Sequence, residues 1–233
     1  MALVVDIETA GLAWESFDKQ TQKKIKEKLE RSGEPTDTDS ITKHLALSPY
    51  TGQIITIGIL DSKTEKGAVF FQAPGTKISP FVEGRFSFKV EDEPTMLTQF
   101  WKLASRYEEF VTFNGRAFDA PFLMIRSAVH KIKPSKDLMR GRYFGQQAFG
   151  AQHTDLYDLL SFYGSFRFPT GGSLQLACQA FGIDTPKKGS LDGSMVGEFF
   201  AARRYREIAQ YNARDLLATN TLYNRWRDFL VFK

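Results

Sequence analysis

The sequence predicts an α/β protein whose mixed, five-stranded sheet is flanked by helices, and three observations predict it. Short apolar runs rich in β-branched and aromatic residues recur at 3–9, 54–60, 68–72 and 110–113, with a fifth strand end at 153–155. The second and third runs are separated only by the polar stretch 61–67, which favours an antiparallel hairpin. The later runs alternate with helical patterns, so the later part of the sheet is expected to be parallel.

The first strand, Leu3-Val4-Val5-Asp6-Ile7-Glu8-Thr9, carries two acids at its end. Strand geometry sends Asp6 and Glu8 to one face and Ile7 to the other. Carboxylates so placed repel each other unless something positive lies between them, and a divalent cation bound by oxygen ligands is the natural compensation. Taken alone, the stretch also reads as a solvated edge strand ending at the Ala10-Gly11 pair.

Residues 12–52 form a long connection. Within it, 20–31 spaces Ile25 and Leu29 four apart among Lys23, Lys24, Lys26, Lys28 and Arg31, which predicts a surface helix. Its basic face suits either solvent or a nucleic acid. The apolar strand 54–60 and the strand 68–72 follow. Residues 73–92 are irregular except for Arg85-Phe86-Ser87-Phe88-Lys89-Val90, whose alternation fits a small added strand or hairpin arm. Met96, Leu97, Phe100 and Leu103 predict a helix over 93–105, with Pro94 tolerable in its first turn. The strand 110–113 leads through Asn114-Gly115 into a helix over 118–130.

Residues 131–152 show no long regular element. They hold Lys131, Lys133, Lys136, Arg140 and Arg142 against the single acid Asp137, together with Tyr143, Phe144 and Phe149. Cations beside flat rings suit single-stranded nucleic acid, and a loop that folds its rings inward has the same composition. Helices are expected over 156–163 and, capped by Ser173, over 174–181. Loops are expected at 168–172 and 182–193. The proline-free stretch 194–229 reads as at least two helices divided near Tyr205 or Ile208.

With 233 residues and 21 phenylalanines, the chain can bury one substantial core. The expected organisation is a single unit over 1–233 with insertions at 12–52 and 73–92. No apolar run approaches the roughly 18–20 residues that span a bilayer, and no basic leader precedes the acids. A cytoplasmic, intracellular location is the expectation. Cys178 is alone and the histidines stand apart at 44, 130 and 153, which excludes an internal disulfide and the usual zinc spacings. The net charge of +4 suits a polyanionic partner once several acids are assigned to metal.

Further acids stand beside apolar elements: Asp119 at a helix start, Asp155 at a strand end, and Asp215 one helical turn after Tyr211. Singly, each has an ordinary reading, Asp119 and Asp155 as helix caps and Asp215 as a partner of Arg214. Three motifs in order change that. Val5-Asp6-Ile7-Glu8-Thr9 holds an Asp-x-Glu pair. Asn114-Gly115-Arg116-Ala117-Phe118-Asp119-Ala120-Pro121-Phe122-Leu123 fits Asn-x3-Phe-Asp-x-Pro-Phe-Leu, and Tyr211-Asn212-Ala213-Arg214-Asp215 fits Tyr-x3-Asp. With these the chain resembles the DEDD superfamily of 3'-5' exonucleases in its tyrosine-containing branch. More narrowly, it is similar to the predicted exonucleases related to the proofreading domain of family B DNA polymerases. Residues 12–52 and 73–92 fit the resemblance least.

The resemblance implies a ribonuclease H-like fold in the order βββαβαβα and hydrolysis that releases 5'-nucleoside monophosphates from a 3' end. It implies two divalent cations, Mg2+ or Mn2+, held by Asp6, Glu8, Asp119 and Asp215, with Asp6 touching both ions. Tyr211 would orient the attacking water, and its phenol, with an ordinary pKa of about 10, would be neutral at pH 7. Thr9, Asn114, Arg116 and Phe118 are the implied contacts to the terminal nucleotide. The implied partner is single-stranded nucleic acid with a free 3' end, DNA ahead of RNA, and trimming in DNA repair is one setting for it. An exoribonuclease and a weakly catalytic nucleic-acid-binding module stay open as alternatives.

Overall fold

Val4, Val5 and Ile7 belong to a strand buried on both faces, and β1 (Ala2–Gly11) lies inside the sheet between β2 (Gly52–Asp61) and β6 (Glu109–Thr112). The structure, a computed structural model, describes residues 1–166, 172–184 and 192–231. Among them the sheet has seven strands; with β3 at Gly67–Phe71, β4 at Phe81–Glu83, β5 at Phe86–Val90 and β7 at Gln152–Asp155, their order is β4-β5-β3-β2-β1-β6-β7. β1, β2 and β3 pair antiparallel in sequence, while β6 runs parallel to β1 and β7 parallel to β6, as the alternation predicts. The two strands beyond the expected five come from residues 73–92. β5 (Phe86–Val90) adds parallel to β3 and buries Phe86 and Phe88, and β4 (Phe81–Glu83) closes that edge antiparallel.

The two faces of β1 close two core layers. Leu3, Val5 and Ile7 pack with α3 (Glu93–Ala104) and α4 (Asp119–Val129) through Met96, Phe100 and Phe122. Val4 faces α8 (Tyr205–Leu230), whose Ala209, Ala213 and Leu216 share its cluster; the two alanines let the helix approach the sheet closely. At about 1.5 Å per residue, this 26-residue helix is roughly 39 Å long and packs across β3, β2, β1 and β6. It is separated from α7 (Val196–Ala201) by Arg203 at φ 59°, so the break falls where the sequence divides that region.

Residues 12–52 hold α1 (Lys19–Arg31) and also α2 (Thr38–Ala46), which the sequence does not announce because only Ile41 and Leu45 face inward from it. Asp18 and Asp37 cap these helices. Gly11 lets α2 lie on the end of β1: a Cβ there would stand 2.8 Å from the Leu45 Cβ. The helix α5 (Leu156–Leu160) is shorter than predicted, because Phe162 and Tyr163 turn to φ 50° and 57°. A further helix, α6, spans Leu174–Ala180 behind its Ser173 cap. Most of the loops expected at 168–172 and 182–193 lie outside the described residues. Among those described, no helix is long and apolar enough to cross a membrane.

His153 on β7 shows how the sheet tolerates a buried ring. Its Nδ1 lies 3.1 Å from the Leu138 carbonyl, which can only accept, so Nδ1 carries the hydrogen. Nε2 then accepts from the Thr112 hydroxyl at 2.8 Å, and the ring is neutral. Burial pushes its pKa down to about 4. Because the folded value lies below the unfolded one, the stability tied to this ring is complete above about pH 6.5 and is lost as pH falls toward 4. The shift corresponds to about 3 kcal/mol. In urea titrations across that range, His153→Gln should lower stability at neutral pH yet flatten the acid decline. A decline as steep as in the parent chain would assign the acid sensitivity to other groups.

Candidate active site

The face of β1 that meets α8 carries Asp6 and Glu8, and α8 returns Asp215 to the same place. One carboxylate oxygen from each of these three lies within 4.8 Å of the others. Asp119 arrives from the first turn of α4. The pairing of β6 with β1 extends only to Val4 and Val111, and farther along the Asp119 Oδ1 accepts the Ile7 amide at 3.0 Å. Burial, then the charges of Asp119, Asp215 and Glu8, holds the Asp6 carboxyl well above the usual range. Burial and then Asp215 and Asp119 do the same to Glu8. Asp119 is pushed up to about 7, chiefly by burial, although its amide bonds pull the other way. Four acids expected from distant parts of the chain thus act on one another beside the part of β1 that runs on past its pairing with β6.

The strand is bent to suit. Glu8 faces Thr56 but Thr9 faces Ile54, so Ile55 is an extra residue on β2, a bulge beside the acids. Glu93 fixes that bulge by accepting the Ile54 amide at 2.8 Å. The same carboxylate accepts from the Arg126 Nε and Nη2, at 2.9 and 2.7 Å, and lies 2.7 Å from the His130 ring. The neighbouring Thr9 hydroxyl donates to the Ala46 carbonyl at 2.8 Å, tying the strand end to α2.

Asn212 escapes the motif reading. It is fully buried, and its Nδ2 donates to the Asp6 Oδ2 at 2.7 Å and to the Asp6 carbonyl at 3.2 Å. This amide orients Asp6 and lowers the pKa that burial raises. It also accounts for a glycine in mid-strand. Gly58 pairs with Asp6 across the sheet, and a Cβ there would fall 1.8 Å from the Asn212 Oδ1. The helical repeat puts 208, 212, 215 and 216 on one side of α8, so an Asn in that row beside a glycine in an apolar strand is the signal that could have found the pair.

Tyr211 is buried and hydrogen-bonded to the Asp215 side chain. Burial, followed by the charges of Asp215, Glu8 and Asp6, pushes its phenol far up, so it stays protonated at every physiological pH. Tyr211 and Asp215 line a cavity of about 280 Å3 together with Ser173 and Asp192.

On the other side, Asp155 organises the second motif. It caps α5 and accepts the amides of Asn114 at 2.8 Å and Arg116 at 2.9 Å. These bonds hold Asn114 at φ 63° and leave its side chain exposed. The Arg116 guanidinium turns to the carbonyls of Leu138 and Met139 while lining a second cavity, of about 350 Å3, with Asn114, Arg142 and Asp155. The half-buried Phe118 ring sits 4.9 Å from the Phe122 ring against the core. Asp6, Glu8, Asp119, Asp215 and Tyr211 are therefore brought together. Of the four expected substrate contacts, Asn114 and Arg116 border open space, Thr9 is tied to α2 and Phe118 to the core.

The family described as "Predicted 3'-5' exonuclease related to the exonuclease domain of PolB" matches residues 54–230, a span that includes Asp119, Tyr211 and Asp215 and begins after Asp6 and Glu8. No curated protein matches the chain. Among solved structures, the family B DNA polymerase from the hyperthermophilic archaeon Pyrobaculum calidifontis superposes with a TM-score of 0.61 at 18 % identity. The match covers 98 % of this chain and 25 % of that one, so the chain spans about a quarter of the polymerase. At that identity the likeness is one of fold, and the helix-flanked mixed sheet is of the ribonuclease H-like type.

The Asn212–Gly58 contact is open to a stability cycle. Gly58→Ala should cost about 1–3 kcal/mol in urea unfolding, because the new methyl collides with the amide. Combined with Asn212→Ala it should cost less than the sum of the two single changes. Strict additivity would show that the glycine is there for another reason.

Proposed function

The chain belongs to the family of predicted 3'-5' exonucleases related to the exonuclease domain of PolB, and from that premise we propose that it hydrolyses the terminal phosphodiester at the 3' end of single-stranded or frayed DNA, releasing 5'-nucleoside monophosphates. The observation that carries this reading is the convergence of Asp6, Glu8 and Asp215 within 4.8 Å, with Asp119 close enough to add to their repulsion. The fold serves as one exonuclease unit, with the α1–α2 pair and the β4–β5 pair as additions to it.

The donor set fits hard divalent cations. Carboxylate oxygens suit Mg2+ or Mn2+, and a buried group of mutually repelling acids is what such ions neutralise. Asp6, Glu8, Asp119 and Asp215 would hold two of them, with Asp6 shared. When bound, the pair lowers the pKa of water and stabilises charge on the phosphoryl oxygens and the departing alkoxide.

The chain's own residues supply the geometry. Asn212 keeps the Asp6 carboxylate in one orientation, and the Ile7 amide keeps Asp119 turned to β1 between the two acids of that strand. Tyr211, held protonated, offers a fixed hydroxyl that orients the attacking water and is unsuited to act as a base. Asn114 and Arg116 would meet the terminal nucleotide from the second cavity. Thr9 and Phe118 would shape the wall of that site through the contacts they already make.

Asp6→Asn and Asp215→Asn should each lower release of mononucleotides from labelled DNA by about a thousandfold, the rate equivalent of several kcal/mol of lost charge stabilisation. Intact release by either purified variant would overturn the site. Tyr211→Phe should slow single-turnover hydrolysis while Mn2+ still binds; an unchanged rate would remove the tyrosine from water positioning. Mn2+ or Mg2+ added to chelator-treated protein should raise the melting temperature, since ions that bind the folded cage favour it by mass action. A melting curve indifferent to both ions would count against the metal assignment. Blocking the 3' hydroxyl should stop release, and release from the 5' end would refute the direction.

A further inference from the structure

The basic, aromatic stretch 131–152 has no part in the chemistry above, yet the structure fastens it to the rim of the second cavity. Arg142 and Asp158 form a two-pronged ion pair at 3.0 and 2.5 Å, and both line that cavity beside Asn114 and Asp155. One residue farther on, the Tyr143 ring lies 4.8 Å from that of Tyr163. One contact thus joins this loop to α5 and the other joins it to the turn that follows.

The turn is built to display rings. Phe162 and Tyr163 both take left-handed backbone angles, which side chains with a Cβ rarely adopt. The conformation is held by the Tyr163 amide on the Asp158 carbonyl at 2.6 Å and the Gly164 amide on the Ser161 carbonyl at 3.1 Å. It leaves Phe162 60 % exposed, and Tyr143, whose ring meets that of the neighbouring Tyr163, is 49 % exposed. Phe149 stands fully in solvent on the same loop, whose cations outnumber its one acid five to one. Open rings among cations are mismatched to an acidic or apolar protein surface taken alone. They match a polymer that has flat bases and a charged backbone.

We propose that Tyr143 and Phe162 form a stacking platform for unpaired nucleotides upstream of the DNA 3' end, with Arg140 and Arg142 facing their phosphates. The inference rests on the exonuclease reading for the direction of the strand. It adds that affinity grows with single-strand length beyond the terminal nucleotide. Stacking is tolerant of sequence, so no base preference is expected from it.

The test compares 5'-fluorescein-labelled oligothymidylates of about 3 and about 12 nucleotides by anisotropy, in chelator so that the strands stay whole. The Tyr143→Ala/Phe162→Ala double variant should bind the longer strand about ten- to a hundredfold more weakly than the parent, and the loss should be smaller for the short strand. Tyr143→Trp/Phe162→Trp, which keeps flat faces, should retain the parent's length dependence. Equal affinity of parent and alanine variant for the longer strand would overturn the platform, as would equal losses at both lengths. A parent that shows length-dependent, ring-dependent binding but releases no nucleotide with Mn2+ would defeat the hydrolysis reading and leave the platform standing.

Discussion

Gathering Asp6, Glu8, Asp119 and Asp215 beside the middle of one strand sets like charges together where burial weakens the screening by water. Their pairwise repulsion and desolvation raise Asp6, Glu8 and Asp119 in concert. Nothing local to a strand or helix would choose that arrangement. It persists because the surrounding elements are fixed by other forces: β1 by two apolar core layers, α8 by the close approach of its alanines, and α4 by the Phe122 face. The core supplies the rigidity that lets the acids stay in a high-energy cluster awaiting neutralisation.

The molecule also contains buried acids that need no such neutralisation, and the contrast separates function from architecture. Glu93 is surrounded by the guanidinium of Arg126, the His130 ring and the Ile54 amide, and its pKa ends below the ordinary value despite burial. Asp155 accepts three backbone amides, although burial still leaves it somewhat raised. Both carboxylates have complete sets of partners from the chain and serve to pin segments: the β2 bulge in one case, the second-motif loop in the other. Among the described residues, the charges that raise Asp6 come from other carboxylates, and the side chain that steadies it is a neutral amide. A cation fits the second kind of acid and has no place beside the first.

Much of this was legible before any coordinates. Strand alternation alone puts Asp6 and Glu8 on one face, and helix spacing alone puts Tyr211 one turn from Asp215; both relations hold because they depend only on backbone periods. The split of the last helical region, expected near Tyr205 or Ile208, falls just before Tyr205. What escaped depends on tertiary contacts. α2 has two inward apolar residues, too few to set a period, and forms because it covers the end of β1. β5 falls on the alternating piece 85–90 that fits an added strand, but β4 has only three residues, and where the pair docks depends on the free edge of β3. The Asn212–Gly58 contact joins residues from opposite ends of the chain, and only their juxtaposition explains either one. Thr9 and Phe118 have side chains that serve equally well in packing and in binding, so sequence position could not divide the two roles.

Backbone conformation carries the same division into the rim of the site. A left-handed residue with a Cβ costs about 1–2 kcal/mol, and Asn is among the types that bear it best. At Asn114 the angle is held by Asp155 and sets the loop that delivers Asp119. At Phe162 and Tyr163 the residues are bulky and aromatic, the least suited to such angles, and a glycine or asparagine would turn the chain with less strain. The turn nevertheless keeps rings there and gives one of them to solvent. Among the described residues, only the turn's own backbone hydrogen bonds offset a cost carried in both backbone angle and exposed apolar area, and a flat-faced partner outside the chain is the simplest account of the rest.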